Sequence, residues 1–312
     1  MPVQLTPLAE DRFDAWREAT RSRLIALRRD SGMLVGDDAV AQTDAVLDQL
    51  LADGYETATS IILSIADGAR EIGTIWLASN DGILFVIDLA FAHPPESRQN
   101  DELLAALVAM ARDHDVDRLS VSLYTSDSAG RAFVDGRGFT CASIQMLLAP
   151  LPDRDAEPRL VVEPMSAERF PAFAAASEEG FAADLVASGR YAPEDARTES
   201  HRQMALELPD GVDSAGQELF TASVGGVEVG VLWLGVRTRG GTPHVFILDI
   251  EVHPDHRLRG YGREIMLAAE RQARRLGADS IGLHVFGFNS GAIRLYEGLG
   301  YRRTEERFLL AV

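Results

Sequence analysis

Residues 256–263 read HRLRGYGR: three arginines, two glycines and no carboxylate, in a chain of 48 acidic and 30 basic residues. The preceding run HVFILDIEV has the composition of a strand, which Pro254 ends. Beyond it Ile265, Ala269, Ala273 and Leu276 recur at helical spacing until Gly277 stops the pattern. A loop between a strand end and a helix start presents unpaired backbone N–H groups and the positive end of the helix dipole. Glycines let that backbone come close to a phosphate, and arginines add charge-assisted hydrogen bonds. The chemistry these residues suit is the binding of a pyrophosphate.

A second pattern follows at a short distance. The strand-like SIGLHVFGF leads into NSGAIRLYEGLGY, where Asn289 can cap a short helix and Gly300 can end it. Asn289 and Tyr296 stand two turns apart and so share a helix face. Arg257-x-x-Gly260-x-Gly262, a helix, a strand, and then the run from Asn289 to Tyr301 together resemble the GNAT superfamily of N-acetyltransferases. The likeness is close over residues 217–305 and extends to the whole C-terminal half in element order. It implies that Arg257, Leu258, Arg259, Gly260, Tyr261, Gly262 and Arg263 wrap the pyrophosphate of acetyl-CoA. It further implies that the backbone of Ile250 to Val252 bonds the acetyl-pantetheine arm, that Asn289 touches that arm, and that Tyr296 stands beside the sulfur.

Acetyl transfer from a thioester to an amine needs a neutral amine, a donor toward the carbonyl oxygen, and a proton for the leaving thiolate. Tyr296 is the candidate acid, since a phenol titrates near 10, above a simple thiol. For the base, His284 resembles in position the strand glutamate of some family members that acetylate protein N-termini. Glu251 and Asp249, which alternate onto one strand face, compete with it, and water alone is a further possibility. His253 and His256 flank a proline with no HExxH pattern and no cysteine nearby, so they read as solvated loop residues, and no metal is expected.

The composition sets wider limits. All 30 basic residues are arginine, which excludes a phosphate loop ending in lysine and any lysine Schiff base. The single cysteine, Cys141, excludes an internal disulfide framework. A formal charge of −18 argues against nucleic-acid binding and permits a cationic substrate. Without a long apolar run or a basic, apolar leader, the expectation is a cytoplasmic protein that makes no membrane contact.

The elements that must position these residues occur twice. Each half opens on a short apolar stretch, runs through acidic, alanine-rich helices (10–51 and 166–207), and then has paired strands around a turn. Each then has a strand ending in His-Pro, at Pro94 and Pro254, and closes on a short helix and Gly-aromatic, Gly138-Phe139 and Gly300-Tyr301. The stretch APLPDRDAEP at 149–158 reads as an exposed linker. The expected fold is α/β, with two tandem GNAT-like domains at 1–150 and 158–312, each a mixed, mostly antiparallel twisted sheet flanked by helices.

The first copy lacks the chemistry. In place of the phosphate loop it has PESRQNDEL, residues 95–103, with no glycine and with Glu96, Asp101 and Glu102. Asp127 aligns with Asn289, but Val134 aligns with Tyr296. The first half is therefore read as a degenerate copy, and the whole as a monomer or homodimer transferring acetyl from acetyl-CoA to a primary amine of a small molecule by direct attack, a cationic one being compatible with the acidic charge. A protein or peptide N-acetyltransferase and a non-catalytic acyl-CoA-binding regulator are the alternatives. Tandem architecture also resembles that of the mycothiol synthases, though no acceptor motif extends the likeness.

Overall fold

Alternating Val, Ile, Leu and small residues set the strands, and one pair of helices precedes the main strands of each half. The computed structural model describes residues 2–80, 82–113, 116–154, 159–189 and 191–312. By contacts the chain divides into two units, residues 1–144 with 303–312, and residues 145–302.

The first unit runs β1 (Val3–Pro7), α1 (Phe13–Ser31), α2 (Asp38–Leu50), β2 (Ser60–Asp67), β3 (Arg70–Asn80), β4 (Ile83–Phe91), α3 (Ser97–Asp113), β5 (Arg118–Tyr124) and α4 (Ser128–Val134). Strand β6 (Thr140–Leu148) leads from it into the second unit. Strands β1 to β4 pair antiparallel in sequence order, and β4 pairs parallel with β5. The core lies between this sheet and α3, with Leu63, Ile75, Leu77, Leu103, Leu107 and Leu119 buried together.

The second unit repeats the plan: β7 (Val161–Pro164), α5 (Phe170–Ala187), α6 (Pro193–Glu207), β8 (Gln217–Val224), β9 (Val227–Arg239), β10 (Thr242–Val252), α7 (Tyr261–Arg275), β11 (Ser280–Phe286) and α8 (Ser290–Gly298). Its strands β7 to β10 are antiparallel and β10 is parallel to β11. On α7 the residues expected at helical spacing, Ile265, Ala269 and Ala273, are fully buried.

The last strand, β12 (Arg302–Ala311), pairs antiparallel with β5, so residues 303–312 complete the first unit. That corrects a plain division into 1–150 and 158–312, because repetition in sequence does not reveal which sheet a terminal strand joins. The linker expectation also changes. Arg274 donates to the Pro152 carbonyl at 2.6 Å, Leu151 N–H bonds Asp279 at 2.9 Å, and Arg154 pairs with Glu270 at 2.9 Å. Residues 149–154 thus lie against α7 and its flank, while 155–158 fall outside the described residues.

The two units match residue by residue. From Leu8 and Met165 onward, equivalent positions keep one constant spacing through β3 and β9. Arg12 pairs with Glu71 at 2.6 Å and Arg169 with Glu228 at 2.8 Å. Trp16 packs edge-on against Trp76, and Phe173 edge-on against Trp233. Trp76 donates to Ser60 at 3.1 Å and Trp233 to Gln217 at 2.8 Å.

Candidate active site

Strands β10 and β11 run together only from His244–Ser280 to Ile247–Leu283, after which no parallel pair joins them among the described residues. Strand β10 continues on β9 as far as Val252 opposite Gly230, with Leu248 bulged out of register. A bulge adds twist and turns a strand away from its neighbour. The result is a wedge whose β10 wall, Asp249 to Val252, offers backbone groups on the side that β11 has left. Gly230 is required here, because a Cβ would come 2.2 Å from the Glu251 carbonyl oxygen.

At the mouth of the wedge the chain makes a single turn over Pro254–His256 and reaches α7 at Tyr261. Leu258, with φ 61°, and Gly260, with φ 89°, both adopt left-handed backbone. Leu258 does so with its side chain fully exposed. The N–H groups of Leu258 to Gly262 find no acceptor among the described residues. At Gly260 a Cβ would meet nothing within 4 Å, and at Gly262 it would make only ordinary contact with Leu295 at 3.4 Å. Both glycines therefore keep open the outer face of the loop rather than relieve a clash within the protein, and the dipole of α7 opens onto the same place.

Arg257 is the residue the structure places differently. Its Nε donates to the Val252 carbonyl at 3.0 Å and its terminal nitrogen lies 3.3 Å from Glu251. The guanidinium fastens the loop to the strand end, leaving Arg259 and Arg263 as the loop's other charges. Glu251, a candidate base, is thereby the ion-pair partner of Arg257.

Helix α8 starts as expected: the Asn289 side chain accepts the Ala292 N–H at 3.1 Å and Gly300 follows with φ 93°. Tyr296 is buried on this helix, its ring 6.1 Å from that of Tyr301. Burial, and then the charge of Asp249, push its phenol up to about 12. His284 stands on β11 one residue past the last parallel pair, its ring edge-on to Phe286 at 5.1 Å.

What sequence reasoning missed is the partner of Asp249. Ser177, on α5, donates to its carboxylate at 2.6 Å. Asp249 pairs with no cation among the described residues, and burial, with Glu251 and Asp184 as like charges, raises its pKa. Asp184, two helical turns beyond Ser177, is also raised by burial. The missed signal is the internal repeat, since Thr20 holds the place of Ser177 in the first unit.

The first unit builds the same wedge and fills it. Strands β4 and β5 part after Val86–Val121, Ile87 bulges, and Asp88 takes the place of Asp249. Arg23 on α1 pairs with Asp88, Nε to Oδ1 at 3.1 Å, and reaches Thr20 at 3.3 Å. A cavity of about 20 Å³ remains, lined by Val86, Asp88, Leu123, Tyr124 and Asp127 among others, room for about one water molecule. Where the loop should be, Arg98 binds Asp67 at 2.6 Å and Glu102 at 2.8 Å, while Arg137 binds Asp101 at 2.7 Å.

Residues 185–301 match the model of the acetyltransferase (GNAT) family. The chain is 28% identical over 147 residues to the uncharacterized N-acetyltransferase YycN of Bacillus subtilis, covering 47% of this chain and 94% of that protein. It is 34% identical over 96 residues to a mycothiol acetyltransferase of Thermobispora bispora, covering 29% of this chain and 31% of that one. The crystal structure of a GCN5-related N-acetyltransferase from Sphaerobacter thermophilus superposes with TM-score 0.53 at 15% identity, covering 99% of this chain and 95% of that one. The fold is thus a GNAT fold in tandem, and the residues that match the acetyltransferase family model lie within the second unit. No helix among the described residues is long and apolar enough to cross a membrane, and no cluster of metal-binding side chains is found among them.

Proposed function

We propose that the second unit transfers an acetyl group from acetyl-CoA to a primary amine of a small molecule by direct attack, and that the first unit binds no acyl-CoA. The observation that carries this reading is the alignment of three features in one unit: a parted strand pair, a loop of free N–H groups at a helix start, and a buried phenol. The N–H groups of Leu258 to Gly262, with Arg259 and Arg263, hold the pyrophosphate. Arg257 keeps that loop in place. Backbone groups of Ile250 and Val252 take the pantetheine arm, which enters the wedge as an extra strand would, and Asn289 borders the same wedge.

As the amine nitrogen attacks, its bond to the carbonyl carbon forms and the bond to sulfur breaks. A phenol at about 12 stays protonated at neutral pH and donates a hydrogen bond to the departing thiolate. Its high pKa makes Tyr296 a stabiliser of the leaving group in the first place and a full proton donor only secondarily. The nitrogen must shed a proton to a base. His284 and water serve this step better than Glu251, which is held by Arg257.

The test is a calorimetric titration of the whole chain with acetyl-CoA. One site per chain is expected, lost when Gly260 and Gly262 are both replaced by valine. Two sites would refute the silent first unit, and no binding at all would refute the enzyme.

A further inference from the structure

The two wedges differ at one position in a way that points to the acceptor. On α1, Thr20 and Arg23 face Asp88, and the guanidinium pairs with the carboxylate. On α5 the equivalents are Ser177, which still bonds its aspartate, and Gly180. Gly180 lies inside the helix Phe170–Ala187, where glycine weakens the helix relative to alanine. No neighbour demands it, since a Cβ there would meet nothing within 4 Å. The effect of the glycine is to leave vacant the path that an arginine side chain occupies in the sister unit.

The charges around that vacancy agree. Helix α1 carries Arg17, Arg21, Arg23, Arg28 and Arg29, whereas α5 has no basic residue and carries Glu178, Glu179 and Asp184. Asp249 and Asp184 have no cation beside them among the described residues, and Glu251 is already paired. The carboxylate that holds a guanidinium in the first unit is kept in the second without one.

We propose that the space over Gly180 is a cation subsite, in which Asp249, held by Ser177 and seconded by Asp184, receives a guanidinium or ammonium group of the acceptor. This deepens the reading of the second unit as an amine acetyltransferase and rests on it. The acceptor class is then a small amine that carries a further cationic group, and an alkylamine with the same carbon chain but no second cationic group is the poorer substrate.

The probe is agmatine, compared with n-butylamine. With acetyl-CoA present, kcat/KM for agmatine should exceed that for n-butylamine by about tenfold or more, the worth of a charged hydrogen bond. Gly180→Arg supplies the cation from within and should abolish agmatine binding while the acetyl-CoA titration still shows one site. Asp249→Asn should weaken agmatine binding by about tenfold or more. Gly180→Ala, which adds only a methyl group in open space, should bind agmatine as the wild type does, and it keeps the test valid if the arginine variant misfolds. Agmatine binding is also measured by calorimetry without acetyl-CoA. Loss of acetyl-CoA binding alone sinks the transferase reading, whereas equal turnover of the two amines, or undiminished agmatine binding in Gly180→Arg or Asp249→Asn, sinks the subsite.

Discussion

Asp249 and Tyr296 sense each other across the wedge of the second unit: the carboxylate's charge adds to burial in pushing the phenol up to about 12. One comes from the strand that parts from its neighbour, the other from the helix capped by Asn289. Tyr296→Phe should therefore lower kcat by about a hundredfold, in the range of a lost general acid, with the calorimetric affinity for acetyl-CoA unchanged. A variant that turns over at the wild-type rate would remove Tyr296 from the reaction.

The same phenol makes a stability prediction. Its folded pKa lies above the ordinary value of 10.0, so between about 10 and 12 the folded chain keeps a proton that the unfolded chain has lost. Stability contributed by the buried neutral phenol is complete below 10 and declines as pH rises toward 12, by up to about 3 kcal/mol. Tyr124, pushed up to about 12 by burial, adds a like loss in the first unit. Urea midpoints of wild type and Tyr296→Phe measured between pH 9 and about 11.5 should converge as pH rises; parallel curves would contradict the shift.

Much of this is legible in the sequence alone. The loop, the α8 cap, the buried face of α7 and the doubling all followed from local patterns of glycine, asparagine and apolar spacing, which local physics controls. The fate of Arg257 and Glu251 was not legible, because a six-residue separation gives no sign that two side chains will meet around a turn. Nor was the membership of β12, since strand pairing is a long-range choice. Ser177 and Gly180 become visible only when each half is used to read the other.

His244 gives an acid-side prediction. Burial pushes its pKa down to about 4. The Ser280 hydroxyl donates to Asp279 at 2.8 Å, so it accepts from the His244 Nδ1–H at 3.0 Å. Below the ordinary value of 6.5 the unfolded chain takes up a proton that the folded chain refuses. The stability it contributes is present above 6.5 and is lost as pH falls toward about 4, by roughly 3 kcal/mol. His244→Ile, which places the residue of the equivalent position Ile83, should flatten stability against pH across that window. An unchanged slope would assign the acid loss to other groups.

Glu270 is fully buried and its carboxylate lies 2.9 Å from Arg154. Removing one member of such a pair leaves a buried charge unmatched, at a cost of about 3–5 kcal/mol. Arg154→Ala should lower the urea midpoint accordingly, and adding Glu270→Gln should restore a large part of the loss. If Arg154→Ala alone is neutral, residues 149–154 do not hold α7 as described.

Gly73 and Gly230 separate stability from chemistry. In each case a Cβ would stand 2.2 Å from a carbonyl oxygen of the next strand, that of Ala90 or of Glu251. Because the obstacle is backbone, it cannot rotate away, and overpacking of this kind costs about 1–3 kcal/mol. Gly73→Ala and Gly230→Ala should both lower Tm. Only Gly230→Ala should also reduce acetyl transfer per folded molecule, because it displaces the strand segment 249–252 against which the thioester arm is proposed to lie. Equal loss of activity from both substitutions would mean that the first unit's wedge, filled by Arg23, takes part in the reaction after all.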